Sequence, residues 1–118
     1  MNGKKRPGEF ELIASYFAPL AAGFSGALGL ADDGALIAPS PGHATVATVD
    51  MLVRGVHFLD DDSADLIARK LLRVNLSDLA AMGARPTVYF LAVALPDDVD
   101  ASWISDFASG LAADQAEF

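Results

Sequence analysis

At 118 residues the chain has room for one modest domain with a real core, and not for two. A hydrophobic content of 53% and a mean hydropathy of +0.35 exclude a disordered chain. A net charge of −8 argues against nucleic acid as a partner, and the lack of cysteine excludes disulfides, thiolate metal sites and cysteine nucleophiles.

No apolar run is long enough to span a bilayer, and the acids of GEFELIASYF rule out a signal-peptide core after the basic start. The cytoplasm is therefore the default location, with no membrane among the expected partners. An acidic chain still reaches phosphates through a hard metal ion. Six acids and no basic residue follow Arg85, which reads as a solvated face.

In residues 8–18, Phe10, Ile13 and Phe17 recur at three- and four-residue spacing, which predicts a short amphipathic helix closed by Pro19. The next segment carries Gly23, Gly26, Gly29 and Gly34 and ends in Ala31-Asp32-Asp33-Gly34, without the pattern of a Walker-type phosphate loop. Its Asp pair is either turn chemistry or a source of oxygen ligands for Mg²⁺ or Ca²⁺. Residues 35–38 suit a short strand, and Pro39-Ser40-Pro41-Gly42 then forces a turn.

Residues 44–58, ATVATVDMLVRGVHF, place Val46, Thr48, Asp50 and Leu52 on one strand face, which predicts a buried strand carrying Asp50. A lone carboxylate there is expensive unless it is met by a cation or by hydrogen bonds, and no Lys or Arg lies within three residues. The Thr48 hydroxyl stands roughly 7 Å along the strand, near enough for both groups to converge on one ion. The alternative is an Asp satisfied by backbone N–H groups at a strand end. His57, flanked by apolar residues, is either packed and hydrogen-bonded or in contact with a substrate.

Asp60-Asp61-Asp62-Ser63 precede a helix expected over 64–82, where caps are favoured over cation chelation, and Gly83 supplies its stop. On that helix Arg69, Lys70 and Arg73 form a charged stripe, while Ile67, Leu71 and Val74 form an apolar one that Asp78 continues. The helix is thus expected to aim a carboxylate inward, to pair with an Arg, to cap a neighbour or to join Asp50 and the Asp32-Asp33 turn. Clustered carboxylates repel, and a hard divalent cation is the common remedy. Residues 86–96, PTVYFLAVALP, read as a fully buried strand, and Asp100 as the cap of a last helix with Trp103 or Ile104, Phe107 and Leu111 inside.

The order helix, strand, strand, helix, strand, helix predicts an α/β (α+β) domain, a mixed sheet with helices on one face. The other face needs a cover, and a homodimer pairing sheet against sheet is the economical one.

Taken together, GEFELIASYF, ADDGALIAP, VATVDMLVRGVHFL and ARKLLRVNLSDLAAMGARP resemble the N-terminal domain of the thiamine-monophosphate kinase family, within the wider aminoimidazole-ribonucleotide-synthetase-like superfamily. The likeness runs from residue 8 to residue 118. It implies transfer of the γ-phosphoryl group of ATP to thiamine monophosphate, directly and in line, with Mg²⁺ bridging the phosphates. Carried over position by position, it assigns Asp33, Thr48, Asp50 and Asp78 as metal ligands, Asp32 as a possible additional one, and His57 as a substrate contact.

The chain departs from the family pattern at Ala31 and Gly34 around the Asp pair, at Val49 in place of a second hydroxyl, and at Arg54, where the family often has an acidic or small residue. The family also continues into a Gly-Gly-Asp motif and a C-terminal domain. Residues 1–118 are therefore expected to be the ATP- and Mg²⁺-binding front part, with little activity alone. Two rivals stand beside this reading: another ATP-dependent synthetase of the superfamily, and a non-catalytic dimerisation or metal-binding module.

Overall fold

The computed structural model of the chain describes residues 5–118. Helix α1 spans Glu9–Leu12 and continues into a π turn over Ile13–Phe17 and a 3₁₀ turn over Ala18–Ala21, with Pro19 in its first turn. The π turn advances the chain by five residues, so Leu12 and Phe17 share the buried face. Phe10, expected inside on a uniform helical period, is instead 85% exposed.

Two long helices form the body, α2 over Ala64–Ala81 and α3 over Ala101–Glu117. Asp100 caps α3 as its residue type predicts, accepting the Trp103 N–H at 2.9 Å. The end of α2 closes as Gly83 predicts: with φ +66°, it donates to the Ala80 carbonyl (3.0 Å) while Ala84 donates to that of Leu79 (2.9 Å). The start of α2 differs. Ser63 holds the capping position without a capping hydrogen bond, Asp60 pairs with Arg54, and Asp62 takes the Leu59 N–H at 2.7 Å.

The core lies where α2 and α3 meet, with Ala64, Ile67 and Ala68 facing Ile104, Phe107 and Leu111, and with Leu12 and Phe17 packed onto the same cluster. Gly110 lies so close to the first turn of α2 that a Cβ there would sit 2.3 Å from the Asp65 carbonyl oxygen. The helices run parallel, Asp65 level with Gly110 and Arg73 level with Glu117. On the inner line of α3, after Ile104, Phe107 and Leu111, comes Asp114, 1% exposed. Its carboxylate accepts from Arg69 Nε (3.0 Å), Arg73 Nε (2.8 Å) and Arg73 Nη2 (3.0 Å). These guanidiniums, Arg73 foremost, hold the Asp114 carboxyl below the ordinary carboxylate range against the opposing pull of burial.

The mixed α/β sheet expected from the sequence is absent. Among the described residues there is no strand, only an isolated bridge between Arg54 and Phe58. No backbone hydrogen bond joins 35–38, 44–53 and 86–96 to one another. Apolar, β-branched composition selects extended chain, but a ladder needs a partner in register, and these segments have one apolar support only. Leu52, Leu91 and Leu95 rest against the helical core, whereas Val49 (93%), Met51 (67%) and Phe90 (74%) face outward.

Two outcomes follow from the helix pair. Asp114→Asn is expected to lower stability by about 1–3 kcal/mol at neutral pH, since it leaves two guanidiniums without their charged acceptor. Because the folded carboxyl titrates below its unfolded value near ~3.9, that contribution is complete above this value and vanishes as pH falls through the folded one. Urea titrations of both proteins from pH 7 downward should therefore converge at the acid end. Gly110→Ala, which an isolated helix would favour, is expected instead to destabilise by about 1–3 kcal/mol through overpacking against Asp65, read as a lower urea midpoint.

Candidate functional site

The Gly-rich segment folds as an irregular 3₁₀ run over Ser25–Leu30 in which Leu28, Gly29 and Leu30 all have positive φ (54°, 66° and 55°). Left-handed backbone is unfavourable for leucine and stores strain in this loop. Gly26 allows the loop to close: it accepts the Leu36 N–H at 2.8 Å, where any Cβ would collide with the Leu36 carbonyl. The Asp32-Asp33 pair stands at the outer bend, both exposed, with Asp32 Oδ1 accepting the Asp33 N–H at 2.8 Å. That is the turn chemistry of an Asx residue.

Thr48 and Asp50 are also exposed, which corrects the expectation of a buried carboxylate. With no ladder formed, the 44–53 segment has no interior to place Asp50 in, and Asp50 Oδ1 accepts only the Met51 N–H, at 2.9 Å. Asp78 is likewise exposed rather than inward. By spacing it continues the apolar line of α2, yet its side chain faces solvent, whereas Arg73, nearer the middle of the helix, lies with its guanidinium carbon 5.4 Å from the Phe118 ring centroid. Among the described residues no three Asp, Glu or His side chains converge to hold a metal ion, and Asp33, Thr48, Asp50 and Asp78 are not gathered here.

His57 is the ordered member of the set. It sits in a tight turn closed by Val56 N–H and His57 N–H to the Val53 carbonyl (3.0 and 2.9 Å) and by Gly55 N–H to the Phe58 carbonyl (2.8 Å). Gly55 has φ +78°, a conformation that suits glycine. Val53 N–H donates to His57 Nδ1 at 2.9 Å, which places the ring proton on Nε2, and Lys70 Nζ donates to the His57 carbonyl.

Arg54 now has a part as well. Its Nε donates to Asp60 Oδ1 at 2.6 Å and its Nη1 to both oxygens of Asp98 (3.2 and 3.0 Å), so one guanidinium ties this turn to the turn before α3. The two carboxylates raise the Arg54 pKa, and Arg54 in turn holds that of Asp60 below its ordinary value.

The charged cluster that sequence reasoning missed is Asp114 with Arg69, Arg73 and Glu117. The signal was present, since Asp114 lies three residues after Leu111 on a buried stripe and faces two arginines four residues apart. A shallow groove lies on the outer side of α2, lined by Leu66, Arg69, Lys70, Arg73, Val74 and Ser77, and none of the candidate aspartates lines it.

Residues 31–118 match the family model described as AIR synthase related protein, N-terminal domain. The chain is similar to the thiamine-monophosphate kinase of Caulobacter vibrioides, 50% identical over 112 residues that cover 95% of this chain and 32% of the relative. It is also similar to those of Escherichia coli K12, 48% identical over 106 residues, and Haemophilus influenzae, 42% identical over 105 residues, each match covering 88% of this chain and 32% of the relative. The chain thus spans about a third of the length of the curated relatives it matches. No solved structure matches it.

With its carboxylates apart, the 118-residue chain is expected to bind Mg²⁺ alone no tighter than roughly 1 mM, with Asp50→Asn unchanged. Isothermal titration with MgCl₂ checks this; a saturable micromolar isotherm lost in Asp50→Asn would contradict the placement described above.

Proposed function

The chain belongs to the AIR synthase related protein family, as its N-terminal domain, and from that membership we propose that it is the N-terminal domain of an enzyme that phosphorylates thiamine monophosphate with ATP. The observation that carries this reading is the 50% identity over 112 residues with a thiamine-monophosphate kinase, supported by the motifs around Asp33, Asp50, His57 and Asp78. In the proposed reaction an oxygen of the acceptor phosphate attacks the γ-phosphorus of ATP in line. The new P–O bond forms as the bond to the β-phosphate oxygen breaks, giving thiamine diphosphate and ADP.

In this reading His57 turns its Nε2–H to the thiamine substrate, held in that tautomer by Val53 N–H. Mg²⁺ belongs to the reading as cofactor, with Asp33, Thr48, Asp50 and Asp78 as ligands and Asp32 beside them. The chain as folded does not gather these residues, so no step above passes through the ion. ATP and thiamine monophosphate are the proposed small-molecule partners.

The exposed apolar residues Leu36, Val49, Met51, Val56 and Phe90 favour a further element, a homodimer in which a second copy covers the 36–56 and 86–93 segments. If the carboxylates have no ligand role, the same surface supports the other reading, that of a dimerisation module.

The test is a chimera in which this chain replaces the matching first third of the Caulobacter vibrioides relative, assayed for thiamine diphosphate formed from thiamine monophosphate and ATP. Activity within about tenfold of the relative is expected, together with a loss of roughly a hundredfold or more in Asp78→Asn if that carboxylate meets the transferring group. A folded chimera as active with Asp78→Asn as without it would reject the ligand set. A folded chimera with no activity would reject the kinase assignment.

A further inference from the structure

Arg54 lies inside the turn that presents His57, directly after the residue whose N–H fills His57 Nδ1. Its side chain ends on two carboxylates from different parts of the chain, Asp60 six residues on and Asp98 forty-four residues on. The planar fork of a guanidinium is what lets one side chain meet both, in line through Nε and across through Nη1. Around it Asp62 secures Leu59 N–H and Lys70 secures the His57 carbonyl, so the backbone that follows the imidazole is held from α2 and from the loop before it. Asp98 adds the one tie between this turn and the entry to α3.

We propose that Arg54 is a positioning residue for His57: by clamping Asp60 and Asp98 it keeps the 53–58 turn in the shape in which Val53 N–H occupies Nδ1 and Nε2–H is left as the donor for a hydrogen-bond acceptor of the substrate. The importance of that donor rests on the reading of His57 as a substrate contact. The clamp itself rests on the geometry alone. Without the anchor, the turn can open about Gly55, whose φ is already positive, and the His57 ring parts from the N–H of the Leu52–Val53 peptide. The ring then exchanges tautomers and Nε2 becomes an acceptor for part of the time.

The experiment is long-range ¹H–¹⁵N correlation of the imidazole in the labelled 118-residue chain at about pH 8, well above the ordinary histidine value. The wild type is expected in the Nε2–H tautomer. In Arg54→Ala, and equally in Asp98→Ala, which leaves the turn's own residues untouched, the ratio of Nε2–H to Nδ1–H should fall roughly three- to tenfold, the worth of one net hydrogen bond. Arg54→Lys should fall between, since an ammonium reaches one carboxylate and not both. The Trp103 indole and the α3 amides report that the fold is intact.

A wild-type ratio in either alanine variant overturns the clamp. Thiamine monophosphate is then added to each protein carried in the chimera with the Caulobacter vibrioides relative. If it moves the His57 ring signals in the wild type and less in Arg54→Ala, the positioning role stands in full. If the tautomer responds to Arg54 while the substrate moves His57 in neither protein, the clamp stands and the substrate reading of His57 falls.

Discussion

The fold depends on one carboxylate. Asp114 sits fully inside the seam between α2 and α3, and its two oxygens are filled by three N–H groups from Arg69 and Arg73. Parallel helices lay like ends of their macrodipoles side by side, so nothing in the backbone favours this arrangement. The apolar contacts of Ile67, Ala68, Ile104 and Leu111 hold the seam together but are non-directional. Asp114 adds a directional constraint, because burial makes its carboxylate depend on the guanidiniums of both Arg69 and Arg73. Gly110 works with it, admitting the first turn of α2 at backbone contact while the ion pairs set the register four residues further on.

The same seam explains the missing sheet. α2 and α3 bury their inner faces against each other and against Leu12 and Phe17, which leaves the segments 44–53 and 86–96 only a rim to lie on. Only Leu52, Leu91 and Leu95 of these segments pack against the core, and most of the rest face outward. The described chain is correspondingly long, 55 × 30 × 22 Å with a radius of gyration of 15.3 Å, against about 13.5 Å for a compact domain of this length. The apolar residues turned outward are what the proposed second copy would cover, and they exceed the scattered exposure that a monomer needs no partner to explain.

What was legible in the sequence was what local chemistry fixes. Asp100 before an apolar-periodic run and Gly83 after one each act on their own few residues and mark a helix boundary, whereas the helical backbone runs past Pro19, its expected stop, to Ala21. The sheet was not legible because Val-, Thr- and Leu-rich composition reports a preference for extended chain, whereas pairing depends on what comes alongside. Asp78 and Asp114 make the same point on helices. Both extend an apolar line by helical spacing, yet Asp114 is buried between two arginines and Asp78 is exposed, and spacing alone does not say which. Arg54 had no local pattern at all, since its partners lie six and forty-four residues away.

The candidate site divides along the same line. The His57 turn is built from bonds within six residues and then fastened by Arg54 and Lys70, so its donor is set before any ligand arrives. The carboxylates are in the opposite condition. Asp32 and Asp50 each satisfy one neighbouring N–H and otherwise face water, where an ionised carboxylate is stable by itself. Drawing Asp33, Asp50 and Asp78 together on a chain of net charge −8 would raise their mutual repulsion with nothing in the fold to offset it. In the kinase reading, the substrate-facing half of the site is preorganised by the chain's own hydrogen bonds, and assembly of the phosphate-facing half is coupled to binding.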